Sequence, residues 1–174
     1  SPGKSKMGGI GGPAEDTRKA YRPGPVGVMS RSGGMTTEIS NALTAAGLGE
    51  STAISIGGDA IIGSTYAELM PLFEADPETQ AIVIYSEPGG PMEAQLADYV
   101  RERGTRLPIV AFMAGRFMDQ MPGMRFGHAG TIVEGKQDTA AEKVRRLQEA
   151  GISVAEEIAD IPRLVKDRLA GVNR

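Results

Sequence analysis

The stretch Ala81-Ile82-Val83-Ile84-Tyr85 is the most hydrophobic of the predicted strands. Five consecutive apolar residues without alternating polar positions predict a strand that is buried on both faces. Glu87-Pro88-Gly89-Gly90 follows this strand, and residues 91–103 then have the spacing of a helix, with Pro91 expected at its first position. A buried strand, a glycine turn and a helix in this order are typical of a parallel sheet covered by helices.

The same unit recurs on both sides of this stretch. Strands are predicted over residues 26–29, 52–56, 81–85, 109–113 and 152–154, and helices over 35–47, 66–75, 91–103, 139–150 and 161–170. In the second helix we expect Leu69, Leu72 and Phe73 to face the core. The alternation predicts an α/β fold, a flavodoxin-like doubly wound five-stranded parallel sheet.

Composition narrows the classes of function. The chain has 174 residues, enough for one domain with a core, and its net charge of −3 argues against nucleic acid or an anionic membrane as partner. Without an apolar run near the ~20 residues that cross a bilayer, we expect a cytoplasmic protein, with the mitochondrial matrix as the alternative. The absence of cysteine excludes thiolate sites, and a single histidine argues against a zinc site, so no bound metal is expected.

Two segments lack a predicted element. Residues 1–24 are rich in glycine, proline and charge, and we interpret them as a linker or arm that precedes a domain over residues 25–174. Because the sequence starts at Ser1 without an initiator methionine, we expect it to be part of a longer chain. Residues 115–130 form the second segment, which contains Met118, Met121 and Met124, and a loop of that length inside a domain is usually functional.

Glycine clusters follow the predicted strands at their carboxyl ends, where parallel α/β sheets bind ligands. The first strand leads through Ser30-Arg31-Ser32-Gly33-Gly34 directly into a helix. The unpaired amides and positive dipole end of a helix N-terminus bind phosphate, and Ser32 can add a hydroxyl. In the alternative interpretation, Ser32 only caps the helix and the glycines only ease the turn.

The one histidine, His128, lies in the glycine-flanked loop Gly127-His128-Ala129-Gly130, where a substrate could approach it. Glu87, at the end of the third strand, could hold one imidazole nitrogen and leave the other as nucleophile. A surface histidine and a loop acid bonded to nearby amides are the alternatives. We expect Arg31 and Arg125 to be the cations nearest the site, and Asp59 to cap the turn at Gly63-Ser64.

As a set, these stretches resemble the second, ligase domain of succinyl-CoA synthetase α subunits. The matching motifs are Val28-Met29-Ser30-Arg31-Ser32-Gly33, Ile56-Gly57-Gly58-Asp59, Gly63-Ser64, Glu87-Pro88-Gly89-Gly90 and Gly127-His128-Ala129-Gly130, and Ser1-Pro2-Gly3-Lys4 looks like the end of a preceding CoA-binding domain. The turn at residues 32–35 is closer to ATP-citrate lyase and citryl-CoA synthetase. The loop at residues 116–126 is methionine-rich and longer than in succinyl-CoA synthetases, so the acid stays open between succinate, citrate, malate and another acid.

The resemblance implies an NDP-forming acid–CoA ligase of the tricarboxylic acid cycle, which makes acyl-CoA through an acyl phosphate and a phosphohistidine. His128 would carry the phosphoryl group, Glu87 would pair with its imidazole, and Ser30, Ser32, Gly33, Gly34 and Gly127 would hold the phosphate. CoA and ATP or GTP would bind largely outside this chain, with Mg²⁺ accompanying the nucleotide. The implied partners are a β subunit with an ATP-grasp domain and the preceding CoA-binding domain. The fragment alone should be inactive, or it could be a non-catalytic phosphate-binding regulatory module.

Overall fold

The computed structural model describes residues 1–124, 127–133, 135 and 139–172. The strands are β1 (Pro23–Ser30), β2 (Glu50–Ser55), β3 (Ala81–Ser86), β4 (Ile109–Met113) and β5 (Ser153–Ala155). The helices are α1 (Ala14–Ala20), α2 (Gly33–Ala45), α3 (Tyr66–Ala75), α4 (Met92–Arg103), α5 (Ala140–Glu149) and α6 (Ile161–Val172). Neighbouring strands are parallel in the order β2-β1-β3-β4-β5, which confirms the predicted flavodoxin-like doubly wound sheet.

The core lies on both faces of this sheet, because successive side chains of a strand point to opposite sides. In β3, Ile82 and Ile84 pack with α3, α4 and α5 on one face, whereas Val83 and Tyr85 pack with α2 and α6 on the other. Every residue of β3 is buried, which explains why its sequence is continuously apolar up to Tyr85.

The strand order creates a crevice between β1 and β3. From β1 the chain moves to the edge strand β2, and it then returns to pair β3 with the other side of β1. Ser30, the last residue of β1, lies opposite Tyr85 near the end of β3. The turns that follow these two strands therefore leave the sheet side by side at the point where doubly wound folds bind ligands.

Residues 1–24, interpreted from the sequence as a linker or arm without a predicted element, contain the seven-residue helix α1 and the first two residues of β1. A helix this short, with Ala20 as its one buried residue, is too brief to show an apolar period in the sequence. The segment lies against the domain: the Ser1 and Thr52 hydroxyls are 2.8 Å apart, and so are those of Tyr21 and Thr37.

Two further sequence predictions need correction. Leu72 is 67% exposed instead of facing the core, because the buried stripe of α3 runs through Tyr66, Leu69, Met70 and Phe73 and leaves Leu72 off its edge. The segment predicted to lack structure contains a 3₁₀ helix at Arg116–Gln120, with Met118 buried. Along the described residues, no helix is both long and apolar enough to traverse a lipid bilayer.

Candidate active site

The turns after β1, β2 and β3 and the loop of His128 meet at the carboxyl edge of the sheet. Arg31 extends the pairing of β1 by donating its amide to the carbonyl of Tyr85 at 3.3 Å. The loop at residues 127–130 reaches the turn after β2 because the amide of Gly130 donates to the carbonyl of Gly58 at 3.1 Å. The strands thus fix the starts of three turns, and the loop at residues 127–130 packs against them.

The structure brings the predicted pair His128 and Glu87 together. Nδ1 of His128 lies 2.8 Å from Oε2 of Glu87, although 41 residues separate them in sequence. The carboxylate is 10% exposed and the imidazole is 36% exposed. A carboxylate can only accept here, so in a neutral imidazole the proton is on Nδ1 and the lone pair is on Nε2. The pair therefore presents a nucleophilic nitrogen with a fixed ring orientation.

Glycines allow the loops to approach the ring this closely. A Cβ at Gly58 would lie 2.2 Å from Nδ1 of His128, so any side chain there would displace the imidazole. Gly89 has φ of +79°, and a Cβ there would lie 2.3 Å from the carbonyl oxygen of Gly130. The two positions show why turns that belong to different strands can interlock around one side chain.

The loop that carries His128 is also held by side-chain hydrogen bonds. The buried Thr131 hydroxyl donates to the carbonyl of His128 at 2.6 Å, and the Thr131 amide donates to the same oxygen at 3.1 Å. Asp59, which we expected to cap the turn at Gly63-Ser64, instead accepts at Oδ1 from the amide of Ala129 at 3.3 Å. The turn after β2 thus supports the histidine loop instead of stabilising only itself.

The turn at the start of α2 is organised by its two serines. The hydroxyl of Ser30 donates to the carbonyl of Ser32 at 2.7 Å and accepts from the Ser32 amide at 3.1 Å. Ser32 is the N-cap of α2 and accepts from the amide of Met35 at 3.4 Å, so its hydroxyl proton is still able to bind a ligand. Gly33 and Gly34 are exposed and begin the helix, ahead of its first backbone bond from Thr36 to Ser32.

A groove of ≈ 950 Å³ opens beside these first-turn amides. It lies between the N-terminal segment, α2 and β2, and its wall includes Gly33, Gly34, Thr37 and Ser55. Gly127, predicted to bind phosphate as well, is exposed with φ of +76° and directly precedes His128. The described geometry leaves the phosphate-binding role of Ser30, Ser32 and the three glycines a prediction.

Burial sets the charge of the phenol next to the pair. Burial, together with the charge of the nearby Glu87 carboxylate, raises the pKa of Tyr85 to about 12. Tyr85 therefore remains a neutral phenol near neutral pH. Its ring packs 6.0 Å from that of Phe112, which fixes the end of β3 just before the turn that bears Glu87.

Known proteins are similar to this chain over most of its length. A family model described as CoA-ligase matches residues 29–155. The chain belongs to the CoA-ligase family. It is 40% identical over 166 residues to the α 1 subunit of an ADP-forming succinate–CoA ligase of Archaeoglobus fulgidus, covering 95% of this chain and 54% of that protein. It is 39% identical over 170 residues to the α subunit of a malate–CoA ligase of Methylorubrum extorquens, covering 98% and 54%.

Among solved structures, this CoA-ligase chain is similar to ATP citrate lyase of Methanosaeta concilii in complex with (3S)-citryl-CoA. The TM-score is 0.87 at 29% identity, and the match covers 96% of this chain and 28% of that one. The CoA-ligase chain thus spans about half the length of the curated relatives it matches. The similarity extends beyond the family model at both ends and includes the N-terminal segment.

Arg31, predicted as a cation near the site, does lie beside the turn of Glu87 in this CoA-ligase chain, but it is buried. It is 2% exposed and donates to the carbonyls of Glu87 and Gly89 at 2.8 and 2.9 Å, so it does not face the solvent side of the site. Arg125 lies outside the described residues.

Two residues beneath the site, Glu93 and Lys143, were not predicted from the sequence. The carboxylate of Glu93 binds both Arg31 and Lys143, and Lys143 also donates to the carbonyls of Glu87 and Gly89. A signal was present in each case. Lys143 interrupts the buried stripe of α5 between Ala140 and Leu147, and Glu93 lies one turn before the buried Leu96 on α4. A charged residue within an apolar stripe indicates a buried partner, because an unpaired buried charge is very costly.

Proposed function

We propose that this chain is the histidine-bearing part of an acid–CoA ligase, and that His128 carries a phosphoryl group between a nucleoside triphosphate and a carboxylic acid. The observation that carries this proposal is the 2.8 Å contact of His128 Nδ1 with Glu87, which in the neutral ring leaves the lone pair on Nε2 of a side chain that is 36% exposed. Family membership and the acid–CoA ligase relatives support the reaction class. The fragment by itself should not complete a turnover.

In the proposed reaction, Nε2 of His128 attacks the terminal phosphorus of the nucleotide, an N–P bond forms, and the P–O bond to the diphosphate breaks. A carboxylate oxygen of the acid then attacks this phosphorus, the N–P bond breaks, and an acyl phosphate forms. The CoA thiolate attacks the acyl carbon and inorganic phosphate leaves. Glu87 stabilises the positive charge that the imidazole gains while it is phosphorylated.

We assign the phosphoryl oxygens to the start of α2 and to the histidine loop. The amides of Gly33, Gly34 and Gly127 and the hydroxyl of Ser32 are the proposed donors, with Ser30 shaping the turn. Fixed N–H groups at a helix N-terminus stabilise charge without reorganising during the reaction. The groove beside these amides gives room for a substrate next to the phosphoryl group.

The remaining substrate sites are assigned to other parts of the enzyme. We propose a β subunit with an ATP-grasp domain for ATP or GTP and a preceding domain for CoA, in line with the α-subunit relatives. We propose that Mg²⁺ accompanies the nucleotide in the ATP-grasp domain. Succinate, malate and citrate are the candidate acids, since the names of the two relatives and of the structural neighbour contain these acids. We propose a cytoplasmic location for this enzyme.

The decisive experiment labels the complete enzyme, assembled from the full α chain and its β partner, with ATP that is radioactive at the γ-phosphate. We expect a label on the α chain that is labile in acid and stable in base, and that is lost in His128→Ala. Thioester formation with a panel of di- and tricarboxylic acids then identifies the acid. Phosphate affinity without any covalent label would instead indicate a regulatory binding module and would overturn the proposal.

A further inference from the structure

A buried cluster of three charged side chains lies beneath the turn that bears Glu87. Arg31 follows β1, Glu93 is in the first turn of α4, and Lys143 is in α5; the three side chains are 2%, 0% and 2% exposed. Nζ of Lys143 lies 2.6 Å from one carboxylate oxygen of Glu93, and Nη1 of Arg31 lies 3.4 Å from the other. Two cations thus share one buried carboxylate.

Both cations also bind the same two backbone carbonyls. Arg31 donates from Nη1 to the carbonyls of Glu87 and Gly89 at 2.8 and 2.9 Å. Lys143 donates from Nζ to these two oxygens at 3.0 and 2.6 Å. Four charge-assisted hydrogen bonds, two from Arg31 and two from Lys143, therefore fix the segment Glu87-Pro88-Gly89.

Stability alone does not account for such a cluster. Moving charges out of water is so costly that a buried ion pair often stabilises a fold no better than apolar side chains of similar volume. What the cluster does provide is position, because Arg31 and Lys143 each donate two hydrogen bonds to the turn that holds the ring of His128. The neighbouring phenol of Tyr66 is also buried, and burial followed by the charge of Glu93 raises its pKa well above the usual value.

The position of this turn determines one contact of the imidazole and one contact of the loop that carries it. The Glu87 carboxylate reaches Nδ1 at 2.8 Å, and Gly89 packs against the backbone at Gly130, two residues after the histidine. We propose that Arg31, Glu93 and Lys143 are positioning residues. They hold the Glu87 turn where its carboxylate meets Nδ1 of His128, and this contact selects the Nδ1–H tautomer. This inference deepens the proposed function and rests on it for its catalytic consequence.

The single histidine makes a direct test possible, because its ring nitrogens give the only imidazole signals of the chain. Long-range ¹H–¹⁵N correlation spectra of the 174-residue chain report the tautomer of the neutral ring. We expect the Nδ1–H form to predominate in the wild type and the Nε2–H form to predominate in Lys143→Met, which keeps the buried stem but removes the ammonium group. A wild-type tautomer in folded Lys143→Met would overturn the proposal.

Two further variants separate positioning from a general loss of stability. Leu147→Ala opens a cavity one turn along the same helix without touching the cluster, and we expect it to lower the melting temperature but leave the tautomer unchanged. An equal tautomer change in Leu147→Ala would mean that loosening of the fold is the cause, and the proposal would fail. If Lys143→Met does not fold, Glu93→Gln preserves the volume of the cluster and is expected to change the tautomer in the same direction.

The same samples distinguish this inference from the proposed function. Phosphoramidate, a small phosphoryl donor that needs no partner subunit, is added to the 174-residue chain, and phosphohistidine is followed by ³¹P NMR. We expect phosphorylation at Nε2 of the wild type and a rate at least about tenfold lower in Lys143→Met, the usual scale for losing an outer hydrogen-bond partner. A tautomer change without phosphorylation of the wild type would support positioning and count against the carrier role of His128.

Discussion

Gly58 lies so close to His128 that the position a Cβ would take at residue 58 is 2.2 Å from Nδ1 of the imidazole. The turn after β2 thus packs directly against the ring of His128. Because the hydrogen bond to Glu87 is made by the same nitrogen, a side chain at position 58 cannot be accommodated without moving the ring away from its partner.

Gly58→Ala should therefore reduce the rate of His128 phosphorylation by about a hundredfold, the scale expected when a reacting group is displaced by about 1 Å. The rate is measured on the assembled enzyme with labelled ATP. Gly63→Ala is the matched control, since Gly63 belongs to the same turn and a Cβ there would meet nothing within 4 Å. Equal rates for both variants would show that the ring does not depend on this contact.

Glu87→Gln should slow phosphorylation by about 10²- to 10⁴-fold, because a neutral amide no longer stabilises the charge that develops on the imidazole and can donate to Nδ1 instead of accepting from it. The turn itself is held through the carbonyl of Glu87, so the melting temperature should change little. A single-turnover labelling experiment measures the rate, and thermal unfolding measures the stability. An unchanged labelling rate would remove Glu87 from the mechanism.

Glu50 should make the stability of the domain depend on pH. Its side chain is buried at the start of β2, and burial raises its pKa to about 8 from the ordinary value of 4.5. Between these pH values the unfolded chain loses the proton and the folded chain keeps it, so the free energy of unfolding falls as pH rises, by at most about 1.4 kcal/mol per pH unit. Below pH 4.5 and above pH 8 this contribution is constant.

Glu50→Gln removes this titration and should flatten the decline between pH 5 and pH 8, as measured by urea unfolding at several pH values. The exposed Glu38 on α2 offers a control, since Glu38→Gln should leave the slope of the wild type in place. A slope that persists in Glu50→Gln would assign the pH dependence to other groups.

Leu69 and Leu72, three residues apart on α3, should respond very differently to truncation. Leu69 is 8% exposed, and Leu69→Ala should lower the free energy of unfolding by about 2–5 kcal/mol. Leu72 is 67% exposed, and Leu72→Ala should change it by no more than about 0.5 kcal/mol. Denaturant unfolding of the two variants compares them directly, and similar losses would contradict the orientation of α3.

The sheet was predictable from sequence because its strands are apolar without interruption and are separated by helices with clear ends. The predicted bounds of α3 and β4 agree with the structure, and the start of α3 is marked by reciprocal hydrogen bonds between Thr65 and Glu68. Helix α1 was not predictable, because seven residues with one buried position show no period.

The contact between Glu87 and His128 could be predicted from the sequence, since both residues follow the carboxyl ends of strands in one sheet. The contacts that fix the pair could not be predicted, because they depend on distances between residues far apart in sequence. The packing of Gly58 on the imidazole joins positions 70 residues apart, and the cluster of Arg31, Glu93 and Lys143 joins three separate elements. Such contacts become visible only when the turns are placed together.

The cations beneath the Glu87 turn have a consequence for how firmly a phosphoryl group could be retained. Arg31 and Lys143 are both engaged by Glu93 and by carbonyl oxygens, so within the described part of the chain neither is directed at the proposed phosphate seat. A seat lined with N–H dipoles attracts a dianion less strongly than one lined with ammonium groups would. A phosphoryl group that is held weakly is readily passed to the next acceptor, as the proposed carrier role of His128 requires.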